Sequence, residues 1–224
     1  MRKSYLKYFI YIGIILGACT PKETGSINNH ESNDHWTELV VAESLEGWNQ
    51  KGGSASYTVK GNTVTGTSAI NTPNSFLCTN KMYSNFILEL EVMVDTSMNS
   101  GIQIRSNSLP EYRDGVVHGY QVEIDPSERA WSGGIYEEQG RGWLLNLENN
   151  KEGQGAFKNN TWNQYRIKAL GDSITTWING IKVAALKDSL TSSGFIGLQV
   201  HSTDIETPMQ VSWRNIRIME INQQ

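Results

Sequence analysis

Phe86-Ile87-Leu88-Glu89-Leu90-Glu91-Val92-Met93-Val94 alternates with a period of two: Phe86, Leu88, Leu90, Val92 and Val94 fall on one face, and Ile87, Glu89, Glu91 and Met93 on the other. Successive side chains of an extended chain point to opposite faces, so the stretch reads as a β-strand with one face in a core. The same period spreads outward. Tyr165, Ile167 and Ala169 alternate with Gln164, Arg166 and Lys168. Residues 56–59 and 63–65 flank Lys60-Gly61-Asn62, and residues 174–178 and 181–184 flank Asn179-Gly180. Asn-Gly accepts the positive φ values of a tight hairpin turn, so the second is the stronger hairpin signal. No amphipathic helix is visible. Short strands with turns about every ten residues predict an all-β sandwich or barrel, and a jelly-roll sandwich of two antiparallel sheets is preferred.

Composition agrees. The 224 residues include 21 Gly, 7 Trp and 9 Tyr, with 38% hydrophobic and 19% charged residues, which excludes disorder for most of the chain. The net charge is −4 with no basic stripe, so nucleic acid is not an expected partner. Two cysteines make neither a disulfide framework nor a Cys-rich zinc site. Cys78, in a strand-like run, reads as a buried inert thiol.

The N-terminus reads as an address. Arg2, Lys3 and Lys7 precede an apolar run from Tyr8 to Ala18, and Leu16-Gly17-Ala18-Cys19 is similar to a bacterial lipobox. Residues 1–18 are therefore expected to be a lipoprotein signal peptide, with lipid on Cys19. Residues 19–35 are polar and aperiodic, a tether with His30 and His35 solvated. The expected location is the bacterial cell envelope. Thr20 is not an inner-membrane retention Asp, so the outer membrane, facing the periplasm or the exterior, is favoured. Residues 36–221 form the expected domain.

Three strand-like runs carry an unusual polar face. Gln103 and Arg105 lie opposite Ile102 and Ile104; Gln121, Glu123 and Asp125 lie opposite Tyr120, Val122 and Ile124; Gln199 and His201 lie opposite Leu198 and Val200. A solvated face favours Lys, Thr, Ser and Glu. Arg, Gln, Glu, Asp and His instead suit the recognition of hydroxyls. Next comes a loop rich in aromatics, arginine and glycine, with Trp131, Tyr136, Glu138, Arg141 and Trp143 as candidate sugar contacts. Trp131 is equally readable as a plug of the sandwich.

These residues resemble a known family. His118-Gly-Tyr-Gln-Val-Glu-Ile-Asp-Pro-Ser, Arg129-Ala-Trp-Ser-Gly-Gly-Ile-Tyr-Glu-Glu, Arg141-Gly-Trp-Leu and Leu198-Gln-Val-His-Ser are similar to the 3-keto-disaccharide hydrolase domain family, as are Asn99-Ser-Gly-Ile-Gln-Ile-Arg, Trp162-Asn and Trp177-Ile-Asn-Gly. The resemblance implies a concanavalin A-like jelly roll acting on glycosides already oxidised at carbon 3. One departure is the order of Gln121 and Glu123, which many members carry reversed.

The chemistry needs a base for the carbon-2 proton, a cation or donor for the enolate oxygen and an acid for the leaving group. Glu123 and His201 are the candidate bases, Arg105 the candidate oxyanion holder, and Asp125 a group that orients His201 or binds hydroxyls. Gln103, Gln121 and Gln199 are expected to bind substrate, and His118 is a reserve. No cofactor is expected, because no His-x-His or Cys cluster argues for a metal; a divalent ion on the ketone and enolate oxygens is the alternative. An upstream sugar oxidoreductase is implied as supplier of the keto substrate. Two other readings compete. Glu123-Ile-Asp-Pro-Ser-Glu128 matches E-x-D-x-x-E and resembles the catalytic strand of laminarinase-like retaining glycosidases, which use two Glu. A non-catalytic sugar-binding module is the other.

Overall fold

The computed structural model describes Met1 and residues 35–222. The expected signal peptide after Met1, Cys19 and all of the expected tether but residue 35 lie outside the described residues. Fifteen strands follow in chain order: β1 (Thr37–Glu38), β2 (Trp48–Gly52), β3 (Ser56–Lys60), β4 (Thr63–Thr67), β5 (Ser75–Thr79), β6 (Phe86–Val94), β7 (Ser100–Asn107), β8 (His118–Ile124), β9 (Ile135–Glu138), β10 (Gly142–Leu145), β11 (Asn163–Leu170), β12 (Ser173–Ile178), β13 (Ile181–Lys187), β14 (Phe195–Val200) and β15 (Gln210–Glu220). One sheet runs β13-β12-β11-β6-β15-β4-β3 with β1 paired to β15; the other runs β10-β9-β8-β7-β14-β5-β2. All pairings within both sheets are antiparallel. The fold is the predicted all-β sandwich of two antiparallel sheets. Among the described residues the only α-helix is a single turn, Lys151–Gln154.

The decisive strand behaves as its period requires. Phe86, Leu88, Leu90, Val92 and Val94 are buried in the core. They meet Ile102, Ile104, Tyr120, Val122, Ile124 and Leu198 from the other sheet within one apolar cluster. On the outer side of β6, Glu89 pairs with Arg166 and Arg217, and Glu91 with Arg214. Trp162 and Trp36 cover those arginines, at 4.1 Å from Arg214 and 4.5 Å from Arg217. This outer face is thereby closed by cross-strand ion pairs. Both hairpins form: Lys60 pairs with Thr63 across Gly61-Asn62, and Ile178 with Ile181 across Asn179-Gly180. Asn179 and Gly180 have φ of 51° and 82°, the positive values a tight two-residue turn requires.

Arg105 corrects the reading of the polar face. Ile104 pairs with Tyr120 but Asn107 with His118, so β7 holds one extra residue, a β-bulge. Arg105 sits in it with φ 47°. The bulge turns its side chain away from Gln103 and towards the other sheet. There Nε donates to Ser84 O at 2.5 Å, Nη1 to Gly171 O at 2.7 Å and Nη2 to Asn85 Oδ1 at 3.1 Å. Ser84 and Asn85 lead into β6, and Gly171 is the β11–β12 turn, so one guanidinium joins the two sheets. The bulge also needs Gly194: a Cβ there would lie 2.2 Å from the Arg105 carbonyl carbon.

Arg105 is 1% exposed, and its loss would break three charge-assisted hydrogen bonds that tie the sheets together and leave a void where the side chain stood. Arg105→Ala is expected to cost about 2–4 kcal/mol of stability in urea unfolding. Arg105→Lys should recover only part, because an ammonium does not reproduce the fork. An alanine variant within about 0.5 kcal/mol of wild type would remove the clamp from the account.

Candidate active-site cleft

The β10-β9-β8-β7-β14-β5-β2 sheet presents its polar side to a cleft of about 520 Å³. Register assembles it. Gln103 pairs with Gln121 across β7–β8, Gln121 with Tyr136 across β8–β9, and Gln103 with Gly197 across β7–β14. Side chains two residues apart share a face, so Gln121 and Glu123 line the cleft from β8, Tyr136 and Glu138 from β9, and Gln199 from β14, with His201 just beyond it. Glu138 stands opposite Gly119. That places it four residues from Glu123 along the strands, about 13 Å, so the two carboxylates mark opposite ends of the cleft.

Beneath this surface runs a chain of hydrogen bonds. Ser106 Oγ donates to Gln103 Oε1 at 2.8 Å, Gln103 Nε2 to Gln121 Oε1 at 2.6 Å, and Gln121 Nε2 to Glu123 Oε2 at 3.0 Å. Glu123 Oε1 accepts from Asn99 Nδ2 at 2.7 Å, and Arg129 Nη2 lies 3.6 Å from it. Gly101 makes room: a Cβ there would lie 2.3 Å from the Gln121 side chain. Gln103, expected to bind substrate, lies below the lining and positions Gln121 instead. Burial raises the pKa of Glu123 above the usual carboxylate range, assisted by Asp125, against the donors Asn99 and Gln121 and the charge of Arg129.

Asp125 shapes the rim. Burial opposes its ionisation, but hydrogen bonds from Ser127, Arg129 and the Trp131 backbone outweigh that and hold its pKa below the usual range. Arg129 Nε donates to Asp125 Oδ2 at 2.7 Å, and the Arg129 guanidinium lies 4.8 Å from the Trp131 ring and 5.2 Å from Trp143. Trp131 packs edge-on to Trp143 at 4.9 Å, and Tyr136 edge-on to Trp143 at 5.4 Å. Trp143 and Tyr136 line the cleft, whereas Trp131 supports Arg129 and Trp143 from outside it. The cation expected from Arg105 is supplied here by Arg129. Asp125 neither touches His201 nor lines the cleft; it fixes Arg129.

At the other end, His201 Nδ1 lies 2.8 Å from Ser202 O. A carbonyl only accepts, so Nδ1 carries a proton, and in the neutral ring the lone pair lies on Nε2. Burial raises the pKa of Glu138, and the donors Gln139 and Asn74 with the charge of His201 offset only part of that. Gln199 is wholly buried, and neither its Oε1 nor its Nε2 has a partner among the described residues. Such a group costs about 1–3 kcal/mol until something satisfies it.

The remaining candidates lie elsewhere. Arg141 points out of the cleft to Glu137 and Asp188. His118 stacks on Tyr112 at 4.0 Å. Glu128 is exposed and does not line the cleft, so the chain does not bulge to bring it beside Glu123. Cys78 is buried, and burial lifts its thiol pKa to about 12. Four lining residues were not anticipated: Asn74, Asn99, Arg129 and Gln139. Of these, Arg129 had a signal, an opposite charge four residues after Asp125, and Asn99 had its place in Asn99-Ser-Gly. Asn74 and Gln139 sit in loops that no period reaches. No group of three or more His, Cys, Asp or Glu able to hold a metal occurs among the described residues.

The chain belongs to the 3-keto-alpha-glucoside-1,2-lyase-like domain family, whose profile matches residues 35–219. This places it among carbohydrate-active proteins. No curated protein matches it. Among solved structures, a Parabacteroides distasonis protein provisionally named a glycosyl hydrolase is 22% identical with TM-score 0.59, over 84% of this chain and 100% of that one. The carbohydrate-binding module CBM66 of Bacillus subtilis is 17% identical with TM-score 0.56, over 80% and 99%. A Bacillus subtilis protein of galectin-like fold is 10% identical with TM-score 0.61, over 85% and 96%. These likenesses establish the jelly-roll-type fold.

A carboxyl whose pKa is raised on folding binds more protons folded than unfolded, so its contribution to stability falls as pH rises through that window. For Glu123 the window opens at the ordinary glutamate range and extends above it. The Tm of Glu123→Gln relative to wild type is therefore expected to be higher at pH 7 than at pH 4. A difference that shrinks over that interval would contradict the raised pKa.

Proposed function

We propose that the chain cleaves glycosides carrying a ketone at carbon 3, by elimination across carbons 1 and 2 followed by hydration. The observation that carries this reading is that His201, whose Nδ1 is engaged by Ser202 O, and Glu138, whose pKa burial raises, line the same polar cleft. Of the two candidate bases, Glu123 already accepts from Asn99 and Gln121, which suits it to positioning. His201 Nε2 takes the carbon-2 proton. The electron pair moves into the enolate, whose oxygen faces Arg129, held by Asp125 and the two tryptophans. The enolate collapses to a carbon 1–carbon 2 double bond, the bond from carbon 1 to the substituent oxygen breaks, and Glu138 protonates that oxygen. Water adds across the new double bond and restores the keto sugar. Gln121 and Gln199 hold ring hydroxyls, the second gaining its missing partner, and Trp143 and Tyr136 pack against the sugar's C–H face.

The reading needs an oxidoreductase upstream and, with lipid on Cys19, sets the reaction at the bacterial cell envelope. Glu128, turned to solvent, does not support the paired-Glu glycosidase alternative.

The test incubates the purified full chain with a nitrophenyl 3-keto-glucoside and with its unoxidised parent, each with and without chelator. Nitrophenol release above the protein-free rate is expected from the keto sugar alone. His201→Ala should lower kcat by about 10²–10⁴, with Tm close to wild type. Release from the parent sugar, or from neither across a panel of keto sugars, would overturn the proposal, the second in favour of a binding module. Release abolished by chelator would give the enolate oxygen to a metal in place of Arg129.

A further inference from the structure

Beside the polar cleft lies a second cavity of about 260 Å³ with the opposite chemistry. Pro73, Phe76, Val116 and Val117 give it a mostly apolar lining, while Asn74, Glu138 and Gln139 line both spaces. Phe76 pairs in register with Gln199, so the apolar floor begins one strand from the cleft's unpartnered amide. Phe76 and Val117 are buried in a small apolar cluster with Cys78 and Phe195. The far wall is backbone: Gly52 has φ 77°, and a Cβ there would lie 2.3 Å from Asn74 O. The cavity is therefore part of the fold's frame.

A molecule filling both spaces needs a hydroxyl-rich part, an apolar part and a polar link where Glu138 stands. We infer that the chain's substrates are glycosides with a flat apolar aglycone: the sugar occupies the polar cleft, the aglycone lies on Phe76 and Val117, and the glycosidic oxygen meets Glu138. The sugar end rests on the function proposed above. A cavity of about 150 Å³ lined by carbon takes up benzene, so this one has room for a substituted ring. A second sugar placed there would set hydroxyls against Phe76, Val116 and Val117 without partners, which is costly.

Binding tests this apart from turnover. In a His201→Ala background, which holds the ligand uncleaved, phenyl and methyl 3-keto-glucosides of one anomer are titrated by calorimetry. The phenyl compound is expected to bind at least tenfold more tightly. Val116→Trp, which fills the cavity from its half-buried rim, and Phe76→Ala, which removes its floor, should each erase that difference and change methyl binding less than twofold. Equal affinities, no binding by either compound, or losses shared by both would overturn the inference. Aglycone release by the unmutated chain reads the catalytic proposal separately. A phenyl preference without release keeps the apolar subsite on a binding protein, and release without the preference removes the subsite alone.

Discussion

A polar side chain buried on a sheet face must find partners inside the protein, and that constraint organises the cleft. Gln103, Gln121 and Glu123 are almost fully buried, yet each is hydrogen-bonded. The result is a line of amides and a carboxylate running from Ser106 to Asn99, each fixing the orientation of the next. Gly101 and Gly197 matter to this line because the large polar groups on neighbouring strands lie over them. Gln199 stands out because it obeys every packing rule of the sheet and still lacks partners. In the function proposed above, a sugar hydroxyl supplies the partner that this amide lacks.

The rim follows from the same economy of partners. Asp125 follows the last residue of β8 and accepts from Ser127, Arg129 and Trp131, so one carboxylate ties the start of the loop to its middle. Ser132 Oγ donates to Asp125 O and accepts from Asp125 N, closing the loop at its end. Arg129 is thus fixed before any ligand arrives, which is what the oxyanion role proposed for it requires. Trp131 has its place as the second aromatic face against this guanidinium.

The legible part of the structure was everything governed by a period of two. Phe86–Val94 announced the core, and Gln121, Glu123 and Gln199 announced the polar floor, because strand geometry leaves a side chain only two directions. Arg105 escaped the period. A single extra residue in β7 with positive φ reversed its direction, and no residue type in Ile104-Arg105-Ser106 marks such a bulge. Arg129, Asn99 and Asn74 come from loops, where side-chain direction is set by turns and long-range partners. Arg141 shared the aromatic loop's composition with the true lining residues, but Glu137 and Asp188 claimed it. Residue type pointed to the chemistry of the site, and only tertiary contacts chose which arginine would serve it.

The charge balance of the cleft bears on how a ligand arrives. Arg129 faces Glu123 at one end, and Glu123 and Glu138 both have pKa values raised by burial. The cleft's arginine is thus paired at short range with Glu123 and Asp125. Long-range steering depends on unpaired surface charge and fades over a Debye length of about 8 Å at physiological ionic strength. The neutral sugar proposed as substrate has no charge to be steered, and an arginine so paired adds little steering of its own. Encounter here is governed by diffusion and shape, and its rate should be almost indifferent to salt.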